Sequence, residues 1–140
     1  MGDQLFKEIV GDWHNACLYP LKDDLWVNYI IGYKDAADIL VEYIKTTGKG
    51  RDLLVYPIVF LYRQFIELQL KALIRDSCRL LGKSDEDILN IVINCKHRID
   101  FLWKQVRTLL EKKWPEGDKA NLSTIEDYIN QFCKIDPISI

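Results

Sequence analysis

Only two histidines, His14 and His97, and four dispersed cysteines, Cys17, Cys78, Cys95 and Cys133, stand in this sequence of 140 residues, and no two cysteines form a CxxC pair. That leaves little from which to build a metal centre. Cys95 and His97 lie one residue apart, and two adjacent donors do not make a tetrahedral set, so no metal and no cofactor are assigned. The scattered cysteines favour buried free thiols in a reducing compartment over a disulfide framework. No sign of charge dominates either. With 19 Lys and Arg against 21 Asp and Glu, a net charge of -2 and a pI near 5.7, a broadly basic nucleic-acid binder is excluded, while a local basic patch is not. The longest apolar run, Leu53 to Tyr62, contains Pro57 and falls short of the roughly 20 residues that span a bilayer. The start MGDQLFKEIV lacks the basic and apolar blocks of a signal peptide, and Phe6 stands where a myristoylation signal has Ser or Thr. No membrane contact and a cytoplasmic location are expected. Nothing matches a P-loop, a nucleotide-binding glycine fingerprint or a hydrolase elbow.

What is present is helical patterning. At 16.5 kDa, with 49% hydrophobic and 29% charged residues, the chain has the size and balance of one folded domain, residues 1–140. Apolar residues recur at helical spacing and no stretch alternates as a strand would, which predicts an all-α, up-and-down bundle of about five to six helices. Trp26, Ile30, Tyr33, Ala37, Leu40 and Ile44 line one face of a helix starting after Asp24 and stopping at Gly48. A longer helix is expected from Asp52 to Leu81, ending at Gly82, with Pro57 in its early turns. Ser84 caps the segment DEDILNIVIN, whose acidic first turn suits the positive helix end. From His97 another stripe, Ile99, Leu102, Trp103, Val106, Leu109 and Leu110, runs towards Pro115. Ser123 with Glu126 reads as a capping box for a last helix carrying Ile125, Ile129, Phe132 and Cys133. Ahead of all these, Leu5, Phe6, Ile9, Val10 and Trp13 predict a short amphipathic helix set apart by Pro20. The final KIDPISI ends just past a proline turn, and a continuation beyond it is expected.

Within the long helix, the stretch YRQFIELQLKALI carries charges at steps of four: Arg63, Glu67, Lys71, then Arg75, Arg79 and Lys83. On a helical wheel, Leu54, Ile58, Leu61, Tyr62, Phe65, Ile66, Leu68, Ala72 and Leu73 form one broad apolar arc and the charges form the complementary sector. Physics alone makes that sector a solvated face, where a Glu67–Lys71 pair contributes about 0.3–0.5 kcal/mol. The aromatic neighbours Tyr56 and Phe60 point the other way. An Arg flanked by rings and paired to a Glu suits a partly enclosed phosphate or carboxylate site.

The Tyr-Arg of Tyr62 and Arg63, the Glu-Leu of Glu67 and Leu68, the Leu-Lys of Leu70 and Lys71, and then His97, Ile99, Leu102 and Trp103 together resemble the prokaryotic HEPN-like helical domains, over roughly residues 24–139. The resemblance implies an antiparallel helical bundle that forms homodimers and is associated with RNA, nucleotides, toxin-antitoxin systems or phage defence. Many such domains are metal-independent endoribonucleases using an Arg four to six residues before a His. Here Asn90 to Ile93 hold the positions before His97, so no arginine carries over into that motif. The first expectation is therefore an accessory domain that binds RNA or a nucleotide through Arg63, Glu67, Lys71, Arg75 and Arg79, with Tyr56, Phe60 or Trp103 as a stacking face. The alternatives are an endoribonuclease with Arg63 and His97 as dispersed catalytic residues, and a protein-interaction module whose ladder is only surface. If the ladder and His97 share a site, Glu67 orients Arg63 and Lys71, and the helix after His97 packs antiparallel or obliquely beside the long one.

Overall fold

The computed structural model describes residues 25–135, which form five helices and, among the described residues, no strand. They are α1 (Leu25–Thr47), α2 (Arg51–Leu80), α3 (Asp85–Cys95), α4 (Ile99–Lys113) and α5 (Lys119–Ile135). The all-α bundle of about five helices is what the periodicity predicts. The expected helix around Leu5 to Trp13, Pro20 and residues 136–140 lie outside the described residues.

Local chemistry sets most of the helix ends. α1 closes at Gly48, whose φ of 67° places it in the left-handed region where a side chain would be strained. α2 closes the same way: Gly82 has φ 71°, its N–H donates to the Arg79 carbonyl at 3.0 Å, and the Lys83 N–H reaches back to Cys78 O at 3.0 Å. These two bonds satisfy carbonyls the helix would otherwise leave open. Ser84 Oγ accepts from the Asp87 N–H at 3.2 Å, and Asp87 Oδ2 accepts from the Ser84 N–H at 3.4 Å, a reciprocal capping box on α3.

Two expected helix starts differ. α5 begins at Lys119, not after Ser123, because Asp118 Oδ1 accepts from the N–H groups of Ala120 at 3.0 Å and Asn121 at 3.1 Å. A carboxylate caps and also meets the positive helix end. Ser123 is consequently interior to α5, and Glu126 pairs with Arg107 of α4. α4 begins at Ile99, with Arg98 in the cap position and His97 just outside the helix.

The helices contact in series: α1 with α2, α2 with α3 and α4, α3 with α4, and α4 with α5. α2 is therefore the shared wall. At about 100° per residue, its buried residues Arg63, Glu67, Leu70, Ile74, Ser77 and Cys78 form one stripe, and that stripe faces α3 and α4. The apolar arc of the helical wheel instead serves α1: Trp26 Nε1 donates to Leu68 O at 3.3 Å and Tyr62 Oη donates to Asp38 Oδ1 at 2.6 Å. The most deeply buried side chains, Ile74, Ile99, Leu102, Val106 and Cys78, all lie where α2 meets α4.

Tyr56 and Phe60 stay 74% and 47% exposed, whereas Ile74 and Cys78 are sealed with α4. From its start at Arg63, α4 thus advances towards the C-terminal end of α2, and the antiparallel option is replaced by a roughly parallel one. By length and composition α2 is also apolar enough to cross a membrane, which the search for one unbroken apolar run missed. In the fold it is the central helix, flanked by α1, α3 and α4.

Leu102 is completely buried, so Leu102→Ala should destabilise the fold by about 2–5 kcal/mol, read as a lower urea midpoint with an unchanged slope. Ile39, 68% exposed on α1, should tolerate alanine within about 0.5 kcal/mol.

Candidate functional site

The spacing of four that defines the ladder places Arg63, Glu67 and Lys71 on successive turns of α2, and the turn between α3 and α4 delivers His97 on top of them. Glu67 is the hub. Its Oε2 accepts from Arg63 Nη1 at 3.0 Å, and its Oε1 accepts from Lys71 Nζ at 2.6 Å and lies 2.8 Å from His97 Nδ1. Arg63 completes the link by donating from Nη2 to the His97 carbonyl at 2.7 Å. One buried carboxylate and one buried guanidinium therefore fasten the entrance of α4 to the middle of α2. Lys96, which has φ 51° and ψ -124°, occupies a backbone region that costs an L-residue energy, and this turn sets the chain direction into His97.

Burial divides the ladder. Arg63 is 3% exposed and Glu67 2%, so the expected solvated face is corrected at these two residues, which α4 covers. Lys71 keeps 14% of its side-chain exposure, Arg75 29% and Arg79 51%. The drift of about 40° per step of four carries the row out from under α4. Arg63, Glu67, Lys71 and His97 are thus brought into one network, while Arg75 and Arg79 leave it. Arg75 Nε stands 3.6 Å from Asp76 Oδ1, and Arg79 Nη2 3.7 Å from Asp85 Oδ1. The expected role of Glu67 as the residue that orients Arg63 and Lys71 matches its hydrogen bonds.

Among the proposed stacking residues, Tyr56 and Phe60 are exposed and Trp103 is buried at 4%, because Trp103 packs in the core with Leu102 and Val106. Sequence reasoning missed Trp26 and Asp85, which join Lys71, Arg75 and Arg79 around a cleft. Both come from other helices, and no spacing rule connects them to the row. Among the described residues no three His, Cys, Asp or Glu gather as metal donors. Cys78 and Cys95 are buried thiols, and burial pushes the pKa of each up.

Electrostatics at the hub run against one another. Burial, the largest influence, pushes the Glu67 carboxyl up, but hydrogen bonds from Lys71 and His97 and the charges of those two side chains together hold it below its ordinary value of 4.5. Chemically the site offers a fixed imidazole. With Nδ1 on the carboxylate and 76% of the side chain exposed, His97 turns its other nitrogen outwards.

Removing one member of a buried ion pair strands the other. Glu67→Ala should cost about 3–5 kcal/mol in urea unfolding, and Arg63→Ala a similar amount, in place of the small loss that an exposed ladder implies. Acid titration of stability tests the lowered carboxyl. Folded Glu67 holds its proton more weakly than unfolded Glu67, so its contribution is complete above about pH 4.5 and is lost as pH falls through the lower folded value. The stability gap between the wild type and Glu67→Gln should therefore narrow on acidification below that point. A gap independent of pH would contradict the assignment.

Comparison of the chain with protein-family models, with curated proteins and with solved structures finds no match.

Proposed function

We infer that this chain is a HEPN-like accessory domain that binds RNA or a nucleotide through the outer part of its basic row and works as a homodimer. The observation carrying the reading is the alignment of an exposed aromatic ring with held cations on one side of α2. Phe60 and Lys71 are eleven residues apart, which places them at nearly the same angle and about 16 Å apart along the axis. Arg75 and Arg79 follow at steps of about 6 Å, each turned about 40° further around the axis. A ring that stacks on a base and cations that meet phosphates are the two parts of single-strand recognition. Arg63 and Glu67, being buried, serve by holding Lys71 and the turn at His97 in place. The apolar side chains exposed on α1 and α2, Ile39 at 68% and Leu53 at 76%, support self-association.

The expected result is fluorescence anisotropy in which single-stranded RNA binds in the presence of chelator. The triple variant Lys71→Ala, Arg75→Ala, Arg79→Ala should bind at least about tenfold more weakly, with a salt slope smaller by about 2, the figure for three phosphate contacts on a single strand. Phe60→Ala should cost about 1–3 kcal/mol of binding. RNA binding unchanged in all these variants, or absent altogether, would overturn the reading. Light scattering at twice the monomer mass checks the dimer.

The pairing of His97 Nδ1 with Glu67 favours one further reading, a metal-independent endoribonuclease. A carboxylate on Nδ1 fixes the imidazole tautomer and leaves Nε2 able to take a proton from a ribose 2′-hydroxyl. Lys71, not the buried Arg63, is then the cation beside the reacting phosphate. RNA cleavage in chelator that His97→Ala abolishes, with binding retained, is the expected outcome of this reading. Binding without cleavage leaves the accessory domain alone.

A further inference from the structure

A cleft of about 250 Å³ opens where the start of α1 meets the C-terminal half of α2 and the face of α3. One wall is cationic: Lys71, Arg75 and Arg79 present three positive charges at steps of about 6 Å along α2. The opposite wall is apolar, formed by Ile88, Leu89 and Val92. Trp26 of α1 adds its ring to the lining. Its Nε1 is spent on Leu68 O, so the indole offers the cleft a carbon surface. Asp85 supplies the one carboxylate of the lining and stands 3.7 Å from Arg79, while Lys71 is paired with Glu67 at 2.6 Å and Arg75 lies 3.6 Å from Asp76. Glu67 is shared between Lys71 and the buried Arg63, so the four cations of the row stand against the three carboxylates Glu67, Asp76 and Asp85 and leave one positive charge.

Arg75 is the telling residue. Its Nε is buried with no hydrogen-bond partner, and the nearest carboxylate oxygen, on Asp76, stands at 3.6 Å, too far to accept. Buried N–H groups are normally satisfied. Trp103 Nε1 shares the condition but lies in the core and is not part of the lining of this cleft. A guanidinium that lines a cavity, leaves one N–H unmet and stands in a row with one surplus positive charge suits an anionic oxygen, and it presents its donors in the fork geometry that phosphate accepts. A phosphate monoester has three strong acceptor oxygens and about -1.5 to -2 of charge at neutral pH, and so offers this row more acceptors than the two of a carboxylate or of a diester. The volume lies just below the roughly 300–1,000 Å³ of drug-sized ligand sites, so it holds one small unit and not a length of chain.

We propose that this cleft binds a phosphate monoester carried on a flat, partly apolar body, the chemistry of a mononucleotide or of a phosphorylated RNA end, with Arg75 as its main phosphate ligand. It rests on the RNA or nucleotide reading above, because the same row supplies its cations, and it adds which phosphate is recognised.

The test titrates the full chain calorimetrically with adenosine 5′-monophosphate and with adenosine. A parallel anisotropy measurement compares a short single-stranded RNA bearing a 5′-phosphate with the same RNA ending in a 5′-hydroxyl. The monophosphate should bind at least about tenfold tighter than adenosine. Arg75→Lys, which keeps the charge but loses the fork, and the exposed Arg79→Ala should each weaken it severalfold without lowering the melting temperature, while Lys45→Ala leaves it unchanged. A matching preference for the 5′-phosphorylated RNA identifies RNA ends as a source; preference only for the free monophosphate identifies a nucleotide. Equal binding of adenosine and its monophosphate, or indifference to Arg75→Lys, overturns the proposal. If RNA binds through the row but neither the monophosphate nor a 5′-phosphate matters, this proposal falls and the RNA reading stands. If the monophosphate binds and no RNA does, the cleft stands and the RNA reading falls.

Discussion

The Glu67 carboxylate is the point on which the two halves of the structure turn. It lies beneath α4, accepts from Arg63, Lys71 and His97, and is 2% exposed. A charge buried to that degree is tolerable only with its partners in place. Each partner therefore fixes something larger than itself. Arg63 fixes the His97 carbonyl and with it the start of α4; Lys71 fixes the inner end of the basic row. Were the carboxylate replaced by an apolar side chain, a guanidinium would remain buried against a backbone carbonyl, and the joint between α2 and α4 would lose its register. Hydrophobic contacts further along, Ile74 and Cys78 with Ile99, Leu102 and Val106, supply the burial that holds the helices together, but apolar contact alone is not directional. The ion network gives the joint its direction.

That joint accounts for what could and could not be read from the residues. Helix identity was legible, because apolar spacing of three and four persists through every described element. So were the ends that depend on near neighbours: Gly48, Gly82 and the Ser84–Asp87 box each involve residues within one turn. The α5 start misled for a local reason. Two capping signals lay five residues apart, Asp118 and Ser123, and the pattern rule favoured the box with Glu126, whose carboxylate was in fact committed to Arg107 across the α4–α5 contact. A cap that needs a side chain already engaged elsewhere cannot form.

The wheel of α2 misled for a different reason. A helix with one neighbour has one buried face, and on that assumption the broad apolar arc is the core and the charged sector is solvent. α2 has neighbours on both sides. The apolar arc meets α1 through partly covered contacts, while the stripe that mixes Leu70, Ile74 and Cys78 with Arg63 and Glu67 is sealed by α3 and α4. Mixed composition is what a buried ion network looks like on a wheel. Its signal was the spacing of opposite charges at four, combined with a histidine and an apolar stripe arriving later in the chain, and both were visible. What sequence could not supply was the distance between Glu67 and His97, thirty residues apart, or the meeting of Trp26 and Asp85 with Arg75, which depends on three helices at once.

A consequence follows for how stability and binding are divided along one row. Steps of four advance the angle by about 40°, so a row that begins beneath α4 must emerge from it. Arg63 and Glu67 sit at the buried end and Arg79 at the open end, with Lys71 and Arg75 between. Substitutions near the start therefore act first on the fold, and those near the end first on whatever meets the surface. Arg75 stands at the crossover, mostly covered and with one N–H unmet. A residue in that position is costly for the free protein to keep as arginine, since burial removes water from a donor that no protein acceptor replaces. Gradual emergence from the core thus grades the cations along the row: the first is locked into the fold, the middle ones are held and partly covered, and the last is about half exposed beside Asp85.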